Sequence, residues 1–193
     1  MIRKVPVMRI ALPLLMLTLF AACADKGVTS MGRTRGAAPS LIITSELVNA
    51  AGSPVGTARL TQEAEGVRVI ASFASLPPGE FAVHLHAVGR CDAPGFTTAG
   101  GHFNPAMKQH GHLNPAGEHA GDLPNVIVGD DRKSTLDAVR TGLRLVDGNA
   151  PLVDADGAAI VGHAGPDDYR TDPAGNAGAR IACGVLSHGK TAN

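Results

Sequence analysis

The chain has 193 residues with 17 basic and 17 acidic side chains, so its formal net charge is zero with histidine neutral. That balance leaves no polybasic surface for nucleic acid and no acidic tail. With 24 glycines, 13 prolines, no tryptophan, one tyrosine and five phenylalanines, the core must be aliphatic, and the length suits one domain of about 150 residues behind a short leader.

The leader comes first. Arg3, Lys4 and Arg9 precede an apolar run over residues 10–20, which Ala21, Ala22 and Cys23 close with small side chains. A run of about eleven apolar residues is too short to span a bilayer, so residues 1–22 read as a signal peptide. Cys23 gives it a lipoprotein form, with the cysteine as the lipid-bearing first residue of the mature chain. Phe20 stands where such leaders usually carry Leu, and an ordinary exported protein cleaved nearby is the alternative. The expected location is the periplasm or cell envelope, with membrane contact only through lipid at Cys23. If Cys23 carries lipid, Cys91 and Cys183 remain, and an oxidising compartment favours their pairing. Residues 24–40 carry Gly, Ser and Thr without periodicity and read as a flexible tether to a domain over 41–193.

Within that domain the chain reads as short strands broken by turn signals. Apolar, β-branched runs fall at 41–48, 55–62, 67–73, 80–88, 125–128, 134–139, 158–162 and 181–186. In the third, Val67, Val69, Ala71 and Phe73 alternate with Arg68, Ile70 and Ser72, the pattern of a half-buried strand. No segment makes a convincing amphipathic helix. Two Gly-rich polar stretches, 89–122 and 165–178, are long enough to be functional loops. The expected architecture is an all-β antiparallel barrel or sandwich.

Six of the eight histidines lie between His84 and His119. His84 and His86 are two apart on a strand, so both imidazoles leave the same face. His102 follows Gly100 and Gly101, and His110, His119 and Asp122 follow among glycines and prolines. Imidazole suits zinc and copper, and three His with one Asp is a plausible tetrahedral zinc set. Seven such groups over about forty residues can fill two metal sites. His112 lies inside the same stretch and is a possible competitor.

These motifs resemble those of copper/zinc superoxide dismutases of the bacterial exported type. The resemblance runs from about Leu41 to His188. It is carried by His84-Leu85-His86, Gly89 and Cys91; by 99–105 (Ala-Gly-Gly-His-Phe-Asn-Pro) and 108–111 (Lys-Gln-His-Gly); by 119–125 (His-Ala-Gly-Asp-Leu-Pro-Asn); by Val161-Gly162-His163 and Asp167-Asp168; and by 175–185, which contains Arg180 and Cys183. It implies an eight-stranded Greek-key barrel with two long functional loops, and one copper and one zinc ion per subunit. Copper ligands would be His84, His86, His102 and His163. Zinc ligands would be His102, His110, His119 and Asp122, with His102 shared. Asp167 would link a copper-ligand histidine to a zinc-ligand histidine and fix their tautomers. Cys91 and Cys183 would form the intrasubunit disulfide.

The implied reaction is dismutation of the superoxide anion to oxygen and hydrogen peroxide by Cu(II)/Cu(I) cycling. Arg180 would attract the anion, and His102 would carry a proton on the nitrogen it gives up when copper is reduced. Superoxide dismutases are themselves a standard example of electrostatic steering, and Lys108 is a candidate for guidance. Ala82-Val83 before the first ligand and Arg90 after the hairpin depart from the common pattern, and Arg90 would alter the local field. The implied oligomer is a monomer or a homodimer. The rival reading is an exported copper-binding protein without dismutase activity.

Overall fold

The structure is a computed structural model that describes residues 40–188. The leader, Cys23 and the tether up to residue 39 lie outside the described residues, as do residues 189–193. Nine strand segments follow in chain order: β1 (Ile42–Val48), β2 (Pro54–Gln62), β3 (Gly66–Ala74), β4 (Gly79–Phe81), β5 (Val83–His86), β6 (Val126–Val128), β7 (Lys133–Thr141), β8 (Ala158–His163) and β9 (Arg180–Leu186). Among the described residues the only helix is a single 3-10 turn at Thr97–Ala99. Each expected run becomes a strand, and the run at 80–88 splits into β4 and β5.

That split explains the strand count. Only Ala82 separates β4 from β5. Its N–H donates to Gly165 and its carbonyl accepts from the His163 N–H, so the strand changes partners there. β4 pairs with β6, and β5 pairs with β8. Taken as one broken strand, the two make eight strands in all. The main antiparallel sheet runs β5-β8-β9-β1-β2-β3-β7, and β6 lies beside β7. The broken strand therefore meets both ends of the sheet and curls it into a barrel. The chain passes from β3 over β7 and β6 to reach β4, which is a Greek-key crossing.

Alternation in the sequence sets what faces inward. Val67, Val69, Ala71 and Phe73 are all buried, while Arg68 and Ala74 are exposed. Leu47, Leu60, Leu85, Ile160 and Leu186 join them in one aliphatic core, each contributing roughly 1.5–3 kcal/mol relative to exposure. A third long connection, residues 142–157, adds Leu143, Leu145, Leu152 and Val153 to that core. Its lack of strand or helix period hid this packing role in the sequence. A smaller apolar group of Phe96, Ala99, Ala159, Val161 and Cys183 sits under the loop that follows β5. There Cys91 and Cys183 are disulfide-bonded, with Cα atoms 5.7 Å apart.

Candidate metal centre

β5 supplies the rigid edge on which the site is built. Leu85 points into the core, which turns His84 and His86 together to the opposite side. One edge of β5 pairs with β8 through His84↔Val161 and His86↔Ala159. On its other edge the chain returns twice, as the isolated bridges His84↔Asp122 and His86↔His102. The Leu85 N–H donates to Gly121, and the Leu85 carbonyl accepts from Phe103. Main-chain pairing thus carries His102 and Asp122 to the hairpin. His163 ends β8, and its cross-strand neighbour on β9 is Arg180.

Two ligand clusters result. The potential ligand atoms of His84, His86, His102 and His163 all lie within 4.8 Å of one another, and so do those of His102, His110, His119 and Asp122. In the first, four buried nitrogens have no hydrogen-bond partner: His84 Nδ1, His86 Nε2, His102 Nε2 and His163 Nε2. Each unpaired buried polar atom costs about 1–3 kcal/mol, and four of them converging fit a bound cation. Their other ring nitrogens are held. His84 Nε2 bonds to Asp167 Oδ2 at 2.9 Å, His86 Nδ1 to the Gly100 carbonyl at 2.9 Å, and His163 Nδ1 to the Gly178 carbonyl at 3.4 Å. Each bond puts the proton on the held nitrogen and leaves the lone pair aimed into the cluster.

The second cluster gathers around Asp122 Oδ1. This oxygen lies 2.9 Å from His102 Nδ1, 3.1 Å from His110 Nδ1 and 3.2 Å from His119 Nδ1. Asp122 Oδ2 is occupied by the N–H groups of Gly111 and His119, so Oδ1 is the free ligand atom. His119 Nε2 donates to the Lys108 carbonyl at 3.1 Å, leaving Nδ1 as acceptor. His102 therefore offers Nε2 to one cluster and Nδ1 to the other. Asp167 joins the clusters a second time, bonding His84 through Oδ2 and His110 Nε2 through Oδ1 at 2.8 Å.

Electrostatics follow burial and carboxylates. Burial pushes His86 down to about 2, His163 to about 3, and His102 to about 4 against the pull of Asp122. All three are neutral near pH 7, as metal ligands must be. Burial also acts to lower His110, but Asp122 and Asp167 on either side raise it to about 9. Burial opposes ionisation of Asp122 and Asp167, yet their imidazole and backbone donors hold both well below the usual carboxylate range.

His86, His102, His119 and His163 line a cleft of about 440 Å³, with Arg180 and Lys108 in its wall. The Arg180 Nη1 and Nη2 donate to the carbonyls of Phe96 and Gly100, each at 2.7 Å. The Gly100 carbonyl thus holds both Arg180 and His86. Burial lowers Arg180 from its ordinary value, but an arginine stays charged. The two remaining histidines and Arg90 stand aside. His112 is exposed and packs on Tyr169, with ring centroids 4.4 Å apart. His188 is exposed near the C-terminus. Arg90 is outside the cleft lining and paired with Asp92 at 2.5 Å, so its charge is matched locally.

Several supporting groups have roles that the sequence did not assign. The second long loop is knotted by Asp168, whose carboxylate accepts from Thr171, the Arg170 N–H and Asn176, holding it at about 2. That knot brings Gly175 (φ +61°) against Asp167 and His110, where a Cβ would collide with the Asp167 carboxylate. Gly111 (φ +91°) lies as closely against the Tyr169 main chain. Asp172 accepts from the His110 N–H at 2.6 Å.

Comparison with known proteins follows this geometry. Residues 55–186 match the copper/zinc superoxide dismutase family model. The chain is 46% identical over 144 residues to superoxide dismutase (Cu-Zn) 1 of Aquifex aeolicus, spanning 74% of this chain and 85% of that protein. It is 41% identical over 138 residues to the Cu-Zn superoxide dismutase of Caulobacter vibrioides, spanning 70% and 79%. Among solved structures, a SOD-like protein from Bacillus subtilis superposes with TM-score 0.71 at 42% identity, covering 74% of this chain and 97% of that one. The chain belongs to the copper/zinc superoxide dismutase family.

Proposed function

We infer that this protein is a superoxide dismutase of the cell envelope, with copper in the first cluster and zinc in the second. The oxidoreductase activity on superoxide and the copper and zinc requirement follow from the family. The observation that carries the site reading is His102, which offers one nitrogen to each of two clusters of different composition. The all-imidazole cluster that opens on the cleft suits copper, and the three-histidine, one-carboxylate cluster suits zinc in tetrahedral geometry.

Copper held by His84, His86, His102 and His163 would supply the one-electron redox chemistry that dismutation needs. The chain's own residues do the rest. Arg180 places a fixed positive charge in the cleft beside His163, where an anion docks. Gly100 and Phe96 hold the guanidinium fork in position. His102 Nε2 has no partner other than the cluster and is the atom that can hold and pass on a proton. Its Nδ1, fixed beside Asp122, keeps the ring in place. Lys108, exposed in the same wall, adds positive field at the mouth.

The rival reading is an exported copper-binding protein without dismutase activity. The complete ligand set and Arg180 in the cleft favour the enzyme. Preparing the domain metal-free, with zinc alone, with copper alone and with both separates the two. Superoxide decay should accelerate only in the copper-containing forms, whereas copper bound stoichiometrically without acceleration would support the rival.

Export is supported by the leader pattern over 1–22, and a disulfide suits an oxidising compartment. Lipid at Cys23 would hold the enzyme to a membrane through the tether over 24–40. Mass spectrometry of the mature N-terminus tests this, since an unmodified terminus or one beyond Cys23 removes the anchor. A monomer or a homodimer is compatible with the site, because both clusters are built within one chain. Sedimentation distinguishes the two.

A further inference from the structure

The segment carrying His110 and His119, residues 104–120, is fastened by hydrogen bonds mainly to itself, to the clusters and to the second long loop. His110 N–H reaches Asp172, Leu113 N–H reaches Tyr169, and Asn114 and Leu113 meet Arg170. Among the described residues a single strand side chain outside the clusters hydrogen-bonds this segment. It is Arg140 on β7. Its Nη2 donates to the His119 carbonyl at 3.1 Å, its Nε donates to the Ala120 carbonyl at 3.3 Å, and Nη2 lies 3.1 Å from Glu118 Oε1. One guanidinium thus spans three consecutive residues with a ligand in the middle. Behind it, β7 is fixed on β3 through Val67↔Arg140, and the Arg140 carbonyl packs tightly against Gly66.

We propose that Arg140 is a positioning residue of the second cluster, fixing the main chain of His119 to the barrel and so placing its Nδ1 toward the metal. The other side of that residue is already held, because the His119 N–H donates to Asp122 Oδ2 and its Nε2 to the Lys108 carbonyl. The His119 carbonyl accepts from Arg140 at 3.1 Å and from the Asp122 N–H at 3.3 Å, so the ligand is restrained on every polar atom except Nδ1, and Arg140 is the one of these partners that belongs to the barrel. The planar fork matters as well as the charge, because Nε and Nη2 reach two adjacent carbonyls at once, which an ammonium cannot reproduce. The clasp reaches the copper cluster only indirectly: none of His84, His86 and His163 bonds to Arg140 or to residues 118–120, and the shared His102 meets it through His119 Nδ1 at 3.4 Å. The inference rests on reading the second cluster as the zinc site.

The test compares the wild-type protein with Arg140→Met, Arg140→Lys and Glu118→Gln. Each is loaded with copper, then with zinc or with Co(II) as a visible reporter of the same site. Zinc release to a chelator and the Co(II) band are followed. Arg140→Met should release zinc roughly 10- to 100-fold faster, the usual cost of losing a group that orients a ligand. Its Co(II) band should change shape. Arg140→Lys should fall between it and wild type. Glu118→Gln should stay within about fivefold of wild type, because only a part-exposed ion pair is lost. Copper affinity should change far less than zinc release, because only the shared His102 couples the two clusters. Wild-type zinc release and Co(II) spectrum in Arg140→Met would overturn the inference. So would equal losses of copper and zinc, which mark general damage to the fold. If Arg140→Met does not fold, Arg140→Lys decides, and wild-type release from it overturns the proposal. A wild-type protein that takes up copper but no zinc defeats the zinc reading itself, an outcome distinct from any difference among the variants.

Discussion

Replacing Asp167 by asparagine isolates what the bridging carboxylate does. Asp167 accepts three bonds: from His84 Nε2 at 2.9 Å, from His110 Nε2 at 2.8 Å and from the Tyr169 N–H at 2.6 Å. An amide has one oxygen and one NH₂. With the oxygen in the Oδ1 place, His110 and Tyr169 keep their acceptor, but the NH₂ faces a donor on His84. The reverse orientation sets the NH₂ against both His110 and Tyr169 and is worse. The least costly response is for His84 to move its proton to Nδ1, the nitrogen that otherwise points into the first cluster. Copper affinity should then fall about 10- to 100-fold, with a smaller effect on zinc. In the metal-free domain a lost charge-assisted bond is worth about 1.5–3 kcal/mol. Relief of carboxylate burial offsets part of it, so a net loss near ~2 kcal/mol is expected. At roughly 2–4 °C per kcal/mol for a chain of this size, the midpoint drops by about 4–8 °C. Chelator competition gives the affinities, ¹⁵N chemical shifts report the His84 tautomer, and calorimetry gives the midpoint. Copper affinity within twofold of wild type, with His84 still protonated at Nε2, would refute this reasoning.

The disulfide spans a sequence separation of 92 residues. In the chain-entropy model its loss costs roughly 4–5 kcal/mol, so the double variant Cys91→Ala/Cys183→Ala should melt about 8–20 °C lower; a change below about 3 °C would contradict this. Arg180→Gln should reduce the rate at low ionic strength and flatten its salt dependence, whereas Arg180→Lys should keep the salt dependence because the charge remains. Steady rates across a salt series check both, and an unaltered slope in Arg180→Gln would remove the steering role. For metal-free protein, His86, His102 and His163 have folded values below their unfolded 6.5. Below pH 6.5 the unfolded chain binds protons that the folded chain refuses, so stability falls as pH drops from about 6.5 towards 4. His110 has the opposite sign: its raised value gives stability that is full below 6.5 and is lost as pH rises through about 9. Denaturant midpoints across pH 4–10 should therefore decline at both ends, and a flat acid limb would count against buried neutral histidines.

Most of the scaffold was legible because inward residues alternate along each strand, as Val67 to Phe73 show. The partner change at Ala82 was not, because it depends on which neighbours each half of one apolar run finds in space. Both clusters were legible in part from local spacing, since His84 and His86 share a face by strand geometry alone. His163 and Arg180 lie far in sequence from the other residues of the two clusters, and only the resemblance to a known family connected them. Arg140, Asp172 and the Gly100 carbonyl were invisible. They act through bonds to the main chain, which any sequence can offer, and an isolated arginine on a strand reads as surface. Gly175 is similar: its need for φ +61° and for the space beside Asp167 comes from the folded loop.

The central claim is that the four-imidazole cluster beside Arg180 dismutates superoxide, and pulse radiolysis of the metal-loaded domain tests it most directly. Wild-type protein with one copper and one zinc per chain should consume superoxide catalytically, in proportion to protein concentration. His163→Ala, loaded in the same way, should lose most of that rate. Decay no faster than in buffer for the loaded wild type, or full activity in His163→Ala, would contradict the account.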